Sequence, residues 1–318
     1  MSELITTNLF NEVLANPLNQ GADTLLVVSG YASSAMVFHH FTKLASVDFR
    51  VKLIIGMTAI HGLSKTNHLG FKSLMEDDYD GRFECSYLKD FPVHSKVYTW
   101  LKKNEPIKAF SGSANYSQNA FLKKFQREVC SEIIPESGKQ YFDTLIGSSI
   151  YCDNIDAEFA LDIYKEKLST DSLFERADEK DSFQNYNNVT LSFINRSKVI
   201  SERSALNWGQ RPELGRDPNQ AYIPVPAKIA RSDFFPEPKM HFTVNTDDGK
   251  LLICSRGQAG GKAIQTPHNN TLFGEYFRNR LGLASGEFVT MEHFVAYGRT
   301  DVDFYKIDEE NYFMDFSV

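Results

Sequence analysis

The sequence predicts an α/β domain, a mixed sheet flanked by helices, followed by a mainly-β domain that curls into a pseudobarrel. Three observations predict it. The first half alternates continuous apolar runs with helical spacing, the rhythm of βαβ units. The last third breaks into short β-rich runs separated by Gly, Pro, Asn and Asp turns, as in small barrels. Between them Ser169 to Asn188 is polar with little apolar periodicity, which reads as a joint. With 318 residues, 42% of them hydrophobic and 24% charged, the chain can bury two cores. The expected boundaries are 1–170 for the first domain, 171–188 for the linker and 189–318 for the second domain.

Each element has its own reason. Thr24 to Ser33 is a β-rich run that stops at Gly30, and Ser34 to Ala45 follows with helical spacing and serines placed to cap it. Phe49 to Met57 is a second buried strand, and His68 to Glu76 is helical. "FECSYLKD", "SKVYTWLK" and "IKAFSGS" are strands, the last two joined by a polar turn at "KNEP". Arg127 to Ile134 makes another strand, and Gly138 to Leu168 reads as two helices. In the last third "VTLSFIN", "QAYIPVP", "MHFTVNTD", "KLLICSR", "FVTMEHFVAYG" and "DVDFYKID" read as strands. "AKIARSDFF" and "TLFGEYFRNRLG" read as helices.

Composition excludes several classes. No apolar run approaches the roughly 20 residues of a membrane span, and "MSELITTNLF" lacks a basic start and a long apolar stretch. Neither membrane insertion nor secretion is expected, and the compartment is the cytoplasm. The cysteines Cys85, Cys130, Cys152 and Cys254 form no C-x-x-C pair, so neither a zinc site nor a disulfide framework is suggested. The net charge of −7 argues against nucleic acid until its distribution is read. Ser192 to Lys262 holds eleven Lys and Arg against seven Asp and Glu, so an acidic chain can present one basic face.

Chemistry concentrates in "HSKVYTWLKKNEPIKAFSGSANYSQ", His94 to Gln118. Alternate residues of a strand share a face, so His94 and Lys96 point the same way. The next strand ends at Gly112, Ser113 and Asn115, where small residues let a backbone approach a ligand. The pattern H-x-K followed by G-S-x-N, with Glu128 downstream, resembles the signature of the phospholipase D superfamily. One departure is Leu101, where many members carry an aspartate five residues after the lysine. The restriction-endonuclease branch of NgoFVII and BfiI type shares that departure.

The resemblance implies a mechanism that suits these residue types. A neutral imidazole at His94 can attack a phosphodiester phosphorus and give a phosphohistidine. Lys96 and Asn115 would stabilise charge on the phosphoryl oxygens, Ser113 can donate to them, and Glu128 can orient the motif. A leaving alkoxide needs a second acid, yet the chain holds one H-x-K. Single-copy members build one site from two subunits, so a homodimer with a shared site is implied. Such a site needs no metal and no cofactor. His39, His40, His61, His68, His241, His268 and His293 show no ligand spacing and read as packing or surface residues.

A second passage, Asn195 to Pro226, is long for a loop in a compact domain. It offers Arg196, Lys198, Arg203, Asn207, Trp208, Gln210, Arg211, Arg216 and Asn219, residue types that reach base edges and phosphates. Ser255 to Pro267 is a second arm with Arg256, Gln258 and Lys262. Two arms on a barrel can clasp one groove. The order of elements is similar to the plant-type B3 DNA-binding domain that the restriction-endonuclease branch carries C-terminally. The resemblance thus implies a metal-independent type II restriction endonuclease acting on double-stranded DNA, which in some relatives works with an ATPase or helicase-like subunit. The rivals are an unspecific nuclease or lipid phosphodiesterase, and a DNA-binding regulator whose nuclease domain only dimerises.

Overall fold

The apolar runs of the first half become neighbouring strands of one sheet. In the computed structural model, which describes residues 4–123, 127–164, 188–195 and 197–318, the chain divides into units Met1–Glu166 and Lys167–Val318. The first unit runs β1 (Leu4–Ile5), β2 (Thr24–Ser29), α1 (Ser34–Lys43), β3 (Arg50–Ile55), α2 (Thr58–His61), β4 (Leu63–Ser64), α3 (Lys65–Ser73) and β5 (Phe83–Leu88). It continues with β6 (Lys96–Lys102), β7 (Glu105–Gly112), α4 (Gln118–Leu122), β8 (Cys130–Ile133), α5 (Pro135–Ile146), β9 (Ser149–Tyr151), α6 (Ala157–Ala160) and β10 (Ile163–Tyr164). Eight strands form a sheet in the order β1-β8-β7-β6-β2-β3-β5-β9. Strands β2, β3 and β5 are parallel, and β6, β7 and β8 join them antiparallel. This is the mixed sheet the sequence predicts.

Local chemistry explains the joints. The Ser33 side chain caps α1 by accepting from the Met36 N–H. Lys103 and Asn104 between β6 and β7 both have positive φ, 51° and 69°, the geometry of a two-residue hairpin turn that matches strand twist. All six residues of β2 are buried, as expected for a central strand covered on both faces.

Both histidines at the middle of α1 are buried. His40 Nδ1 lies 2.7 Å from the Tyr116 hydroxyl and its Nε2 lies 3.3 Å from the Leu14 carbonyl oxygen. Burial pushes the His40 pKa from 6.5 down to about 3, and burial with nearby Lys43 takes His39 to about 4. Between the folded and unfolded values the unfolded chain binds more protons, so stability rises with pH there. The contribution is complete above pH 6.5 and is lost as pH falls toward these depressed values. Urea midpoints should decline on acidification below that point, and His40→Gln should flatten the decline. An unchanged slope in the variant would remove His40 as its source.

Two expected elements differ. Among the described residues, the two helices expected from Gly138 to Leu168 are α5 and the one-turn α6, but the edge strand β9 intervenes and β10 follows. Ser149–Tyr151 pairs with Ser86–Leu88, and that sheet edge overrides local propensity. Residues 165–168 of this stretch, the expected linker up to residue 187, and Arg196 lie outside the described residues.

The second unit runs β11 (Asn188–Ser192), β12 (Ile223–Pro224), α7 (Ala227–Ala230), β13 (His241–Thr246), β14 (Leu251–Gly257), β15 (Ala263–Gln265), α8 (Thr271–Arg280), α9 (Met291–Tyr297), β16 (Asp301–Lys306) and β17 (Asn311–Asp315). Its seven strands take the order β11-β16-β17-β13-β14-β15-β12. The two end strands lie beside each other, so the sheet is nearly closed, a pseudobarrel. Phe193, Phe235, Phe242, Phe277, Phe304 and Phe316 are among the side chains that fill it. "FVTMEHFVAYG", read as a strand, is the helix α9. Thr290 and His293 form a reciprocal capping box, and this local satisfaction of amides outweighs the β-rich composition.

Candidate active site and nucleic-acid interface

The H-x-K and G-S-x-N segments meet because β6 and β7 are antiparallel hairpin partners, with Val97 opposite Ser111. His94 sits in the loop just before β6, exposed, and Lys96 opens the strand, buried. The Lys96 ammonium nitrogen lies 3.2 and 3.1 Å from Nδ1 and Nε2 of His94 and donates to the His94 carbonyl at 2.6 Å. Burial lowers the Lys96 pKa from its ordinary value, and the Glu128 carboxylate opposes that shift. A cation is thus held against the imidazole.

The turn after β7 is fixed from below. A side chain at Gly112 would overlap the Val129 carbonyl, which explains the glycine. Ser113 donates from its hydroxyl to Glu128 Oε2, while its backbone N–H bonds the Val129 carbonyl at 2.9 Å. Tyr98, buried on β6, donates to the Ala114 carbonyl at 2.6 Å. The Ser29 hydroxyl donates to the Tyr31 carbonyl at 2.6 Å and accepts from the Tyr116 N–H at 3.0 Å. Asn115 Oδ1 accepts from the Tyr31 N–H at 3.3 Å, which fixes the amide and leaves its NH2 as the donor end.

The ends of β2, β6 and β7 therefore assemble His94, Lys96, Ser113, Asn115 and Glu128 on one rim. Chemically it offers an imidazole lone pair, an adjacent ammonium and an oriented amide, the groups that suit an anionic phosphate diester. The Ser113 hydroxyl faces Glu128. Leu101 is a buried core residue opposite Thr24, with no part in the rim. Among the described residues no group of three or more His, Cys, Asp or Glu is arranged to hold a metal ion.

In the second unit the structure sorts the arm residues. Asn207 is fully buried, with its amide bonded to the Ser201 carbonyl and to both backbone groups of Val289. Asn219 is buried and braces Ser285 and Gly286. Gln210 donates to the Gly286 carbonyl at 2.9 Å, and Arg211 donates to the Arg203 carbonyl. Arg256 is buried on the Ala230 carbonyl. All five bond to other parts of the second unit, Asn207, Asn219 and Arg256 from buried positions and Gln210 and Arg211 from half-buried ones.

Others remain at the surface. Lys198, Arg203, Gln258 and Lys262 are exposed, although Arg203 reaches Glu213 at 3.5 Å. Arg216 lies 3.9 Å above the Trp208 ring, and Trp208 in turn meets Tyr222 edge-on. Residues that the sequence reading missed carry the framework. Arg278, fully buried, donates to the carbonyls of Glu287, Gly274, Leu206 and Pro218 at 2.7 to 3.2 Å. Nothing in a lone arginine of an amphipathic helix signals that role.

Comparison with known families agrees with both halves. A family described as the NgoFVII restriction endonuclease N-terminal PLD domain matches residues 7–158, and one described as the NgoFVII C-terminal B3-like DNA-binding domain matches residues 181–308. Fold, site and matches together define a phospholipase-D-type nuclease domain joined to a B3-like DNA-binding domain. The chain belongs to the NgoFVII family of restriction endonucleases. Among solved structures, NucT from Helicobacter pylori is similar at 19% identity and a TM-score of 0.34, covering 48% of this chain and 98% of that one. Nuc from Salmonella typhimurium, a phospholipase D family member, is similar at 14% identity and a TM-score of 0.30, covering 48% and 97%. No curated protein matches the chain.

Proposed function

We propose that the chain is a type II site-specific restriction endonuclease that cleaves DNA without a metal, through a phosphohistidine on His94, in an active site shared by two copies. The observation that carries the reading is the Lys96 ammonium held against both ring nitrogens of His94 beside an oriented Asn115 amide. A nitrogen lone pair of His94 forms the N–P bond as the P–O bond to the leaving sugar oxygen breaks. Lys96 and Asn115 stabilise the charge on the non-bridging oxygens. His94 of the partner subunit protonates the leaving oxygen, then takes a proton from the water that displaces the phosphohistidine. Ser113 and Glu128 act together to hold the turn. Residues 1–170 form the nuclease and dimerisation domain, and 189–318 the recognition domain.

Recognition falls to the two arms. The first contains β12 and the second contains β15, which pair antiparallel, and the Lys262 carbonyl accepts from the Val225 N–H just past β12. Arg216 is the base reader of choice, because stacking on Trp208 holds its planar fork in place. Arg216→Ala should cost about 1–3 kcal/mol of selectivity at one base pair; binding to a panel of single-base variants measures it, and unchanged selectivity excludes the assignment.

Digestion of plasmid DNA in EDTA tests the whole reading. Discrete fragments are expected. A smear would favour an unspecific nuclease, and selective binding without cleavage would reduce the first domain to a scaffold.

A further inference from the structure

Beside the rim lies a pair of side chains outside the H-x-K and G-S-x-N motifs. The Tyr31 hydroxyl is 2.5 Å from His61 Nδ1, and the two rings are nearly parallel at 14°. The edge of Tyr31 also meets the His94 imidazole at 5.8 Å and 78°. Its backbone N–H holds Asn115, so this one residue touches both candidate phosphate-facing groups. Gly30, just before it, lies under His94, where an added Cβ would come within 2.9 Å of His94 Cδ2.

An exposed histidine on a loop rotates about χ2 unless something stops it, and in-line attack on phosphorus tolerates little misorientation. Lys96 bonds the ring but lies close to both nitrogens, so it does not select one ring orientation. An edge-to-face aromatic contact does, since it has a preferred angle. The bond to His61 then stops the phenol from swinging away.

We propose that Tyr31, braced by His61, is a positioning residue that sets the orientation of the His94 imidazole. The proposal rests on the reading of His94 as nucleophile for its kinetic consequences, and on geometry alone for its structural ones.

The full-length protein tests both. Tyr31→Leu should lower kcat about 10-fold with KM nearly unchanged. Tyr31→Phe and His61→Ala should each lower it about 3-fold, and the double variant no further than either, because both remove one bond. In parallel, NMR of selectively labelled histidine should show the His94 ring signals shifted in Tyr31→Leu. An unaltered kcat in Tyr31→Leu, or additive losses in the double variant, overturns the proposal. If the wild type does not cleave DNA, the functional reading fails by itself. The NMR result then decides: shifted His94 signals sustain the positioning role, and unshifted signals overturn it.

Discussion

His94→Ala is expected to abolish DNA cleavage, with a loss of at least about 1,000-fold in kcat, because under the proposed mechanism the variant removes the atom that forms the covalent bond. The side chain is exposed, so its removal leaves no buried cavity and the melting temperature should stay within a degree or two of wild type. DNA binding should survive, since the second unit is the B3-like DNA-binding domain. Gel-based cleavage and a binding titration on the same DNA separate the two effects. The proposed shared site adds a sharper readout. When wild-type and His94→Ala chains are mixed equally and exchange freely, activity should fall toward about one quarter, the fraction of fully wild-type dimers under random pairing. A fall to only one half would mean that each chain works alone.

Arg278→Met should destabilise the second unit by about 3–5 kcal/mol, the scale for losing a buried charged partner and orphaning the groups it satisfied. The guanidinium bonds four carbonyls, on α8, in the loop after it and in the first arm. A methionine keeps an apolar stem in the same space but donates to none of them. Burial holds the Arg278 pKa below the ordinary arginine value, which fits a cation kept in place by carbonyls and the fields of Asp217 and Glu287. Because Leu206 and Pro218 belong to the arm, DNA affinity should fall with stability. Arg278→Lys should not rescue it, since one ammonium cannot span the fork. Thermal melts followed by binding at low temperature check both effects, and a loss under about 1 kcal/mol would show that water replaces the guanidinium.

The candidate set was legible because its spacing is local. His94 and Lys96 are two positions apart and Gly112 and Asn115 three, and a hairpin brings the two segments together. Tyr31 and His61 were not legible, since they reach the rim from the ends of β2 and α2, 63 and 33 positions before His94. In the arms, composition pointed to DNA but could not rank residues. Asn207 and Arg216 look alike as polar arm residues, yet one is fully buried and the other stacks on an indole.

By itself the sequence determined the two-part order of folds, the spacing of the H-x-K and G-S-x-N residues and the basic character of Ser192 to Lys262. These depend on periodicity, turn residues and charge along the chain, which short-range rules read directly. Only the tertiary structure decided that Ser113 faces Glu128, that α9 is a helix, and which polar side chains hold the arms from inside. Burial and hydrogen-bond satisfaction are settled by partners distant in sequence: Arg278 and Arg216 are the same residue type, and only what surrounds each makes one a brace and the other available to DNA.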